Sequence, residues 1–144
     1  MKAALLDVSV LFALIYEQHE RHRDVHTWFG ENHRWGWATC AHTQLSVIRL
    51  LSSNFAADLN LVVPMAAALV RSLCSHPSHQ YWNQEVVPSS AEAFQWDQIR
   101  GRNQLPDLFL LAIAVQNNGI LVTLDRKIDI EGVSGARLEN LVVL

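Results

Sequence analysis

Pro106–Asp125, PDLFLLAIAVQNNGILVTLD, holds a helix and a strand back to back. Proline suits the first turn of a helix, where its missing amide would have had no partner anyway. Asn117, Asn118 and Gly119 close that helix, since asparagine and glycine tolerate the left-handed conformation of a helix exit. Ile120 to Thr123 are apolar or β-branched without alternation, as in a strand buried on both faces. The run stops on Asp125. A helix feeding a doubly buried strand is the unit from which parallel sheets are built.

The same unit recurs toward the N-terminus. Ala3 to Asp7 reads as a short buried strand, and Ser9 caps a helix over about Val10 to Glu17. A second helix is expected from Glu20 to Asn32, and Arg34 to Cys40, RWGWATC, reads as another strand. His42 to Ser52 carries Leu45, Ile48 and Leu51 at helical spacing. Pro64 opens the helix PMAAALVRSLC. A strand is expected within His79 to Pro88, then a helix capped by Ser89 or Ser90 and running to about Arg100. NLVVL at Asn140–Leu144 makes the last strand. The implied class is α/β: a three-layer α/β/α sandwich with a mostly parallel central sheet, one domain over residues 1–144.

Composition narrows the function classes. The chain has 144 residues, of which 50% are hydrophobic and 17% charged, ordinary for a globular domain. A net charge of −3 argues against a broad basic nucleic-acid surface, although nine of the 11 basic residues are arginine, the better phosphate fork. No run approaches the roughly 18 apolar residues of a membrane span, and the N-terminus is a poor signal peptide. Cys40 and Cys74 lack metal-ligand spacing and read as free buried thiols of a reducing compartment. The expected location is cytoplasmic.

In open α/β sheets a ligand site lies beyond the carboxyl ends of the strands. Asp7 and Asp125 each end a strand, and Asp107 sits in the first turn of the helix preceding the second of these. Taken singly, Asp7 is a paired or capping carboxylate, Asp107 a favourable charge at a helix N-terminus and Asp125 a turn residue. Taken together, three carboxylates in one crevice repel one another unless a cation joins them. Hard oxygen donors without clustered Cys or His suit Mg²⁺ or Mn²⁺. A cation so held polarises a phosphodiester and activates water.

Four segments, LLDVSVLFALIY (5–16), HTQLSVIRLL (42–51), LPDLFLLAIAVQNNG (105–119) and ILVTLDRKI (120–128), resemble in order and spacing the motifs of PIN-domain ribonucleases. The nearest resemblance is to the VapC-type toxins of bacterial toxin–antitoxin pairs, and it spans essentially the whole chain. It implies a compact α/β/α domain, Mg²⁺- or Mn²⁺-dependent endonuclease activity on RNA, inhibition by a cognate small antitoxin, and a homodimer. On that pattern Asp7, Asp107 and Asp125 match the first, third and fourth acidic positions and are the metal ligands. Ser9 and Thr123 match supporting hydroxyl residues.

The second acidic position, usually Glu in T-E-x-x-x-x-R, is Gln44 in this chain. An amide coordinates through its carbonyl oxygen or orients water but adds no charge. Two readings follow: a catalytic-site residue with a weakened ligand role, or a helix-surface amide. Pro106 also departs from the small residue usual before the third aspartate. Arg49, Arg126 and Lys127 are candidate RNA-backbone contacts, as are Arg100 and Arg102.

Other motifs carry less. HERH at His19–His22 is one residue short of H-E-x-x-H, so a zinc-protease reading fails and the helix is read as solvated. His42 is left out of the site, and His76 and His79 are read as surface loop residues. The five tryptophans are read mostly as core or interface. A phosphotransfer receiver needs a lysine on a separate strand end, and the only late lysine, Lys127, is two residues from Asp125. A non-catalytic PIN-like binding module is the remaining competitor.

Overall fold

The computed structural model describes residues 2–90 and 92–144. Its five strands are β1 (Ala4–Leu6), β2 (Trp37–Thr39), β3 (His79–Tyr81), β4 (Ile120–Thr123) and β5 (Leu141–Val143). They pair in the order β3-β2-β1-β4-β5, every pair parallel. The helices are α1 (Val8–Ile15), α2 (His22–Asn32), α3 (Ala41–Leu51), α4 (Val63–Cys74) and α5 (Leu105–Gln116). β1 lies at the centre, with Leu5 facing Ala38 on one side and Leu121 on the other. The expected α/β/α sandwich is the fold observed.

Alternation along β1 splits the core in two. Ala4 and Leu6 join Val10, Val25, Val47, Leu51 and Val70 under α1 to α4, while Leu5 joins Leu108, Leu111, Phe94 and Leu121 under α5. α5 buries six consecutive-to-near residues from Leu108 to Ala114, as a helix apolar on every side must. Its exit uses Asn118 at φ +53, followed by the Gly119 N–H bond to the Ala114 carbonyl at 2.8 Å. Gly119 is required for space: a Cβ there would lie 2.4 Å from the Trp82 ring and 2.7 Å from the Ala3 carbonyl.

Three expectations are corrected. The cap of α1 is Asp7, whose carboxylate accepts the Val8 N–H, so the helix starts two residues early and Ser9 lies inside it. The helix expected up to Arg100 is absent among the described residues, Ala91 lying outside them; only a 3₁₀ turn forms at Trp96–Gln98. Its amides are used across the chain instead. Gln95 donates to the Gly132 carbonyl and Ser134 to that of Ala93, around the antiparallel bridge Phe94–Val133. Lastly, His79 is a strand residue whose ring packs 4.6 Å from that of Trp37, and the His76 ring packs against His33.

Candidate functional site

β1 and β4 are neighbours with Leu6 opposite Val122, so the residues leaving their carboxyl ends emerge side by side. Asp7 follows the first strand and Asp125 the second, and the N-terminal turn of α5 brings Asp107 over the same edge. An open cavity of about 420 Å³ is lined by Asp7, Val8, Ser9, Asp107, Leu124 and Asp125. Three aspartates distant in sequence therefore share one crevice. Val8 and Leu124 were absent from the sequence-based set, and adjacency to Asp7 and Asp125 was the only signal for them.

Asp7 is 5% exposed and carries four contacts that decide its state. Its backbone N–H donates to the Val122 carbonyl. Oδ1 accepts the Val8 N–H at 2.6 Å, and Oδ2 accepts the hydroxyls of Thr123 at 2.6 Å and Ser9 at 3.2 Å. Thr123 also accepts the Asp125 N–H at 3.0 Å, and Ser9 accepts the Leu124 N–H at 3.4 Å. Both expected supporting hydroxyls thus stitch the β1 exit to the β4 exit. Burial pushes the Asp7 carboxyl up from its usual range, with these donors opposing the shift.

Asp107 shows the strongest perturbation. Burial first, then the charge of Asp7 and the proximity of Asp125, push its carboxyl up to about 7. Asp125 itself accepts the Lys127 N–H through Oδ1, which orders the turn after β4. Protein donors therefore hold Asp7 and Asp125, while the charges acting on Asp107 are those of these two aspartates.

The donor set suits a hard divalent cation. All three side chains offer carboxylate oxygen, and a positive charge between them removes the repulsion that raises Asp107. Among the described residues no group of three or more His, Cys, Asp or Glu is arranged to hold a metal ion as the side chains stand. Mg²⁺ keeps several water ligands when bound by proteins and so needs few carboxylates.

Gln44 is placed elsewhere. It does not line the cavity; its Nε2 donates to Thr39 Oγ1 at 2.9 Å and lies 3.8 Å from Cys74 Sγ. Arg49, Arg100, Arg102, Arg126 and Lys127 are all exposed and none lines the cavity. The two ion pairs among the described residues, Lys2–Glu139 and Arg21–Asp24, involve none of them. His22 bonds the Ala13 carbonyl, a packing role for that helix, and Cys40 and Cys74 are free thiols. No helix among the described residues is long and apolar enough to cross a membrane.

The family model described as PIN domain matches residues 4–130. Ribonuclease VapC44 of Mycobacterium tuberculosis is 31% identical over 142 residues, covering 98% of this chain and 99% of the relative. Ribonuclease VapC39 of the same organism is 30% identical over 122 residues, covering 85% and 88%. Among solved structures, VapBC2 from Rickettsia felis bound to a DNA fragment from its promoter aligns with a TM-score of 0.48 and 15% identity, over 87% of this chain and 89% of the other.

Proposed function

This chain belongs to the PIN domain family, in its VapC-type branch, and from that premise we propose that it is a metal-dependent endoribonuclease, the toxin of a toxin–antitoxin pair. One observation carries the reading: Asp7, Asp107 and Asp125 line a single cavity, with Thr123 joining the first to the last. In this proposal the three aspartates hold Mg²⁺ or Mn²⁺. The bound cation supplies Lewis acidity toward a phosphodiester and lowers the pKa of the attacking water.

The chain's own residues divide the remaining work. Thr123, Ser9 and the Val8 N–H orient Asp7 and favour its ionised form. Asp107 must release its carboxyl proton to serve as a ligand, and its upward shift places that release near neutral pH. Exposed Arg126 and Lys127, just after Asp125, meet the RNA backbone, with Arg49 as a further contact. The whole of residues 1–144 acts as one domain, cytoplasmic, dimeric, and neutralised by a small antitoxin.

The direct test mixes purified protein with Mg²⁺ or Mn²⁺ and structured RNA, beside an Asp7→Asn variant. Cleavage by the wild type alone is the expected result. Equal cleavage by both, or none by either across many RNAs, sinks the nuclease reading. A short upstream reading frame for a DNA-binding partner is the expected genomic setting.

The neutral Gln44 supports a second reading, a weakened PIN-like module that binds a protein partner without turning over RNA. It predicts no change in thermal stability when Mn²⁺ is added. A clear rise that disappears in Asp107→Asn rejects it.

A further inference from the structure

Thr39 ends β2, one strand over from Asp7, and its side chain is 1% exposed. Three groups converge on its hydroxyl. Gln44 Nε2 of α3 is 2.9 Å away, His79 Nε2 of β3 is 2.8 Å away, and Cys74 Sγ at the end of α4 is 3.9 Å away. These residues join α3, β2, β3 and α4, and none of them lines the acidic cavity.

The proton directions in this cluster are determined by chemistry. An amide nitrogen only donates, so Thr39 Oγ1 accepts from Gln44. The single Thr39 proton has two acceptors in reach, His79 Nε2 at 2.8 Å and Cys74 Sγ at 3.9 Å, and the nearer and stronger one is the ring nitrogen, which is unprotonated when it accepts. The remaining proton of the neutral ring then sits on Nδ1. The reverse polarity, with the Gln44 carbonyl oxygen toward Thr39, would send the Thr39 proton to Gln44 and put the ring proton on Nε2. Burial of the ring and the neighbouring His76 both favour a neutral His79. The other rings around His79 are neutral, notably Trp37 from β2.

We infer that Gln44 is the donor end of a directional hydrogen-bond chain, Gln44 Nε2–H to Thr39 Oγ1–H to His79 Nε2, which clasps α3 to the β2–β3 edge. A glutamate at this position cannot donate to Thr39. It would instead accept the Thr39 proton, and His79 would have to turn its own proton toward Thr39. Gln44 and the neutral His79 are therefore matched to each other. The clasp stands independently of the nuclease proposal. Only its corollary rests on that proposal: a cation held by Asp7, Asp107 and Asp125, with Gln44 contributing nothing to its affinity.

The test is ¹H–¹⁵N NMR of the His79 ring at pH 7.5 in the full chain, compared with Gln44→Glu, Gln44→Ala and Thr39→Ser. Wild type and Thr39→Ser are expected to show the Nδ1–H tautomer. Gln44→Glu is expected to move the proton to Nε2 or to leave the ring doubly protonated. A wild-type Nε2–H tautomer overturns the clasp without needing any variant to fold. So does an unchanged His79 signature in Gln44→Glu. Mn²⁺ titration calorimetry then reads the corollary, for which Gln44→Ala should bind within about twofold of wild type. A loss of tenfold or more overturns it. If wild type binds no Mn²⁺ while the His79 signatures hold, the metal-dependent nuclease proposal falls and the clasp survives.

Discussion

Thr123 Oγ1 donates to Asp7 Oδ2 at 2.6 Å across the exits of two neighbouring strands, and the same oxygen accepts the Asp125 N–H. One buried hydroxyl therefore sets the position of two of the three carboxylates. Replacing it with the near-isosteric valine should leave the strand intact and Asp7 short of a charge-assisted donor. Thr123→Val is expected to lose about 1–3 kcal/mol in urea unfolding. Thr123→Ser, which keeps the hydroxyl, should recover most of it.

The metal-free protein should be stabilised by neutralising Asp107. Its carboxyl is raised from 3.8 to about 7, so the folded state prefers the proton. That preference contributes stability below the unfolded value and loses it as the pH climbs through about 7. Asp107→Asn removes the loss. In EDTA at pH 8 the variant should be more stable than wild type by about 1–2 kcal/mol, a figure discounted for a half-buried group. The two should converge near pH 4, which melting curves across pH will show.

Cation binding should follow the same group. Asp107 must shed its proton to join the ligand set, so affinity rises with pH. With a carboxyl near 7, Mn²⁺ affinity at pH 6 should be roughly a tenth of that at pH 8 by calorimetry. Asp107→Asn should bind weakly at both values with little slope between them.

Gly119→Ala should be among the most damaging single substitutions outside the site. The added carbon would meet the Trp82 ring at 2.4 Å and the Ala3 carbonyl at 2.7 Å, at the entry to β4. Neither backbone nor an indole packed in the core moves cheaply. A loss of about 3 kcal/mol or more is expected from thermal or urea unfolding, with the acidic cavity disturbed through β4.

The alternation of helix and strand was readable because it is local. Apolar runs, Pro64 and Pro106 at helix starts, and the Asn-Asn-Gly exit of α5 each act within a few residues. Where local signals competed, the reading failed. Ser9 is a good cap by type, but the carboxylate of Asp7 reaches the first amide and takes the role. Residues 92–100 look helical after Ser90, yet the Gln95 amide donates to Gly132 and the Ala93 carbonyl accepts from Ser134, some forty positions later.

The acidic site divides in the same way. That Asp7, Asp107 and Asp125 meet followed from the sequence, since parallel strands place their carboxyl ends along one edge, where Asp7 and Asp125 fall, and the helix feeding the second of these strands starts with Asp107 over that edge. That Thr123 ties Asp7 to Asp125, that Asp107 carries the raised carboxyl, and that Gln44 turns toward Thr39 and His79 were decided by tertiary structure alone. These outcomes depend on hydrogen bonds and charges between atoms brought together from distant parts of the chain, and on how much water burial leaves around them. Residue type and spacing encode the positions of the strand ends; packing selects which donor each carboxylate and amide finds there.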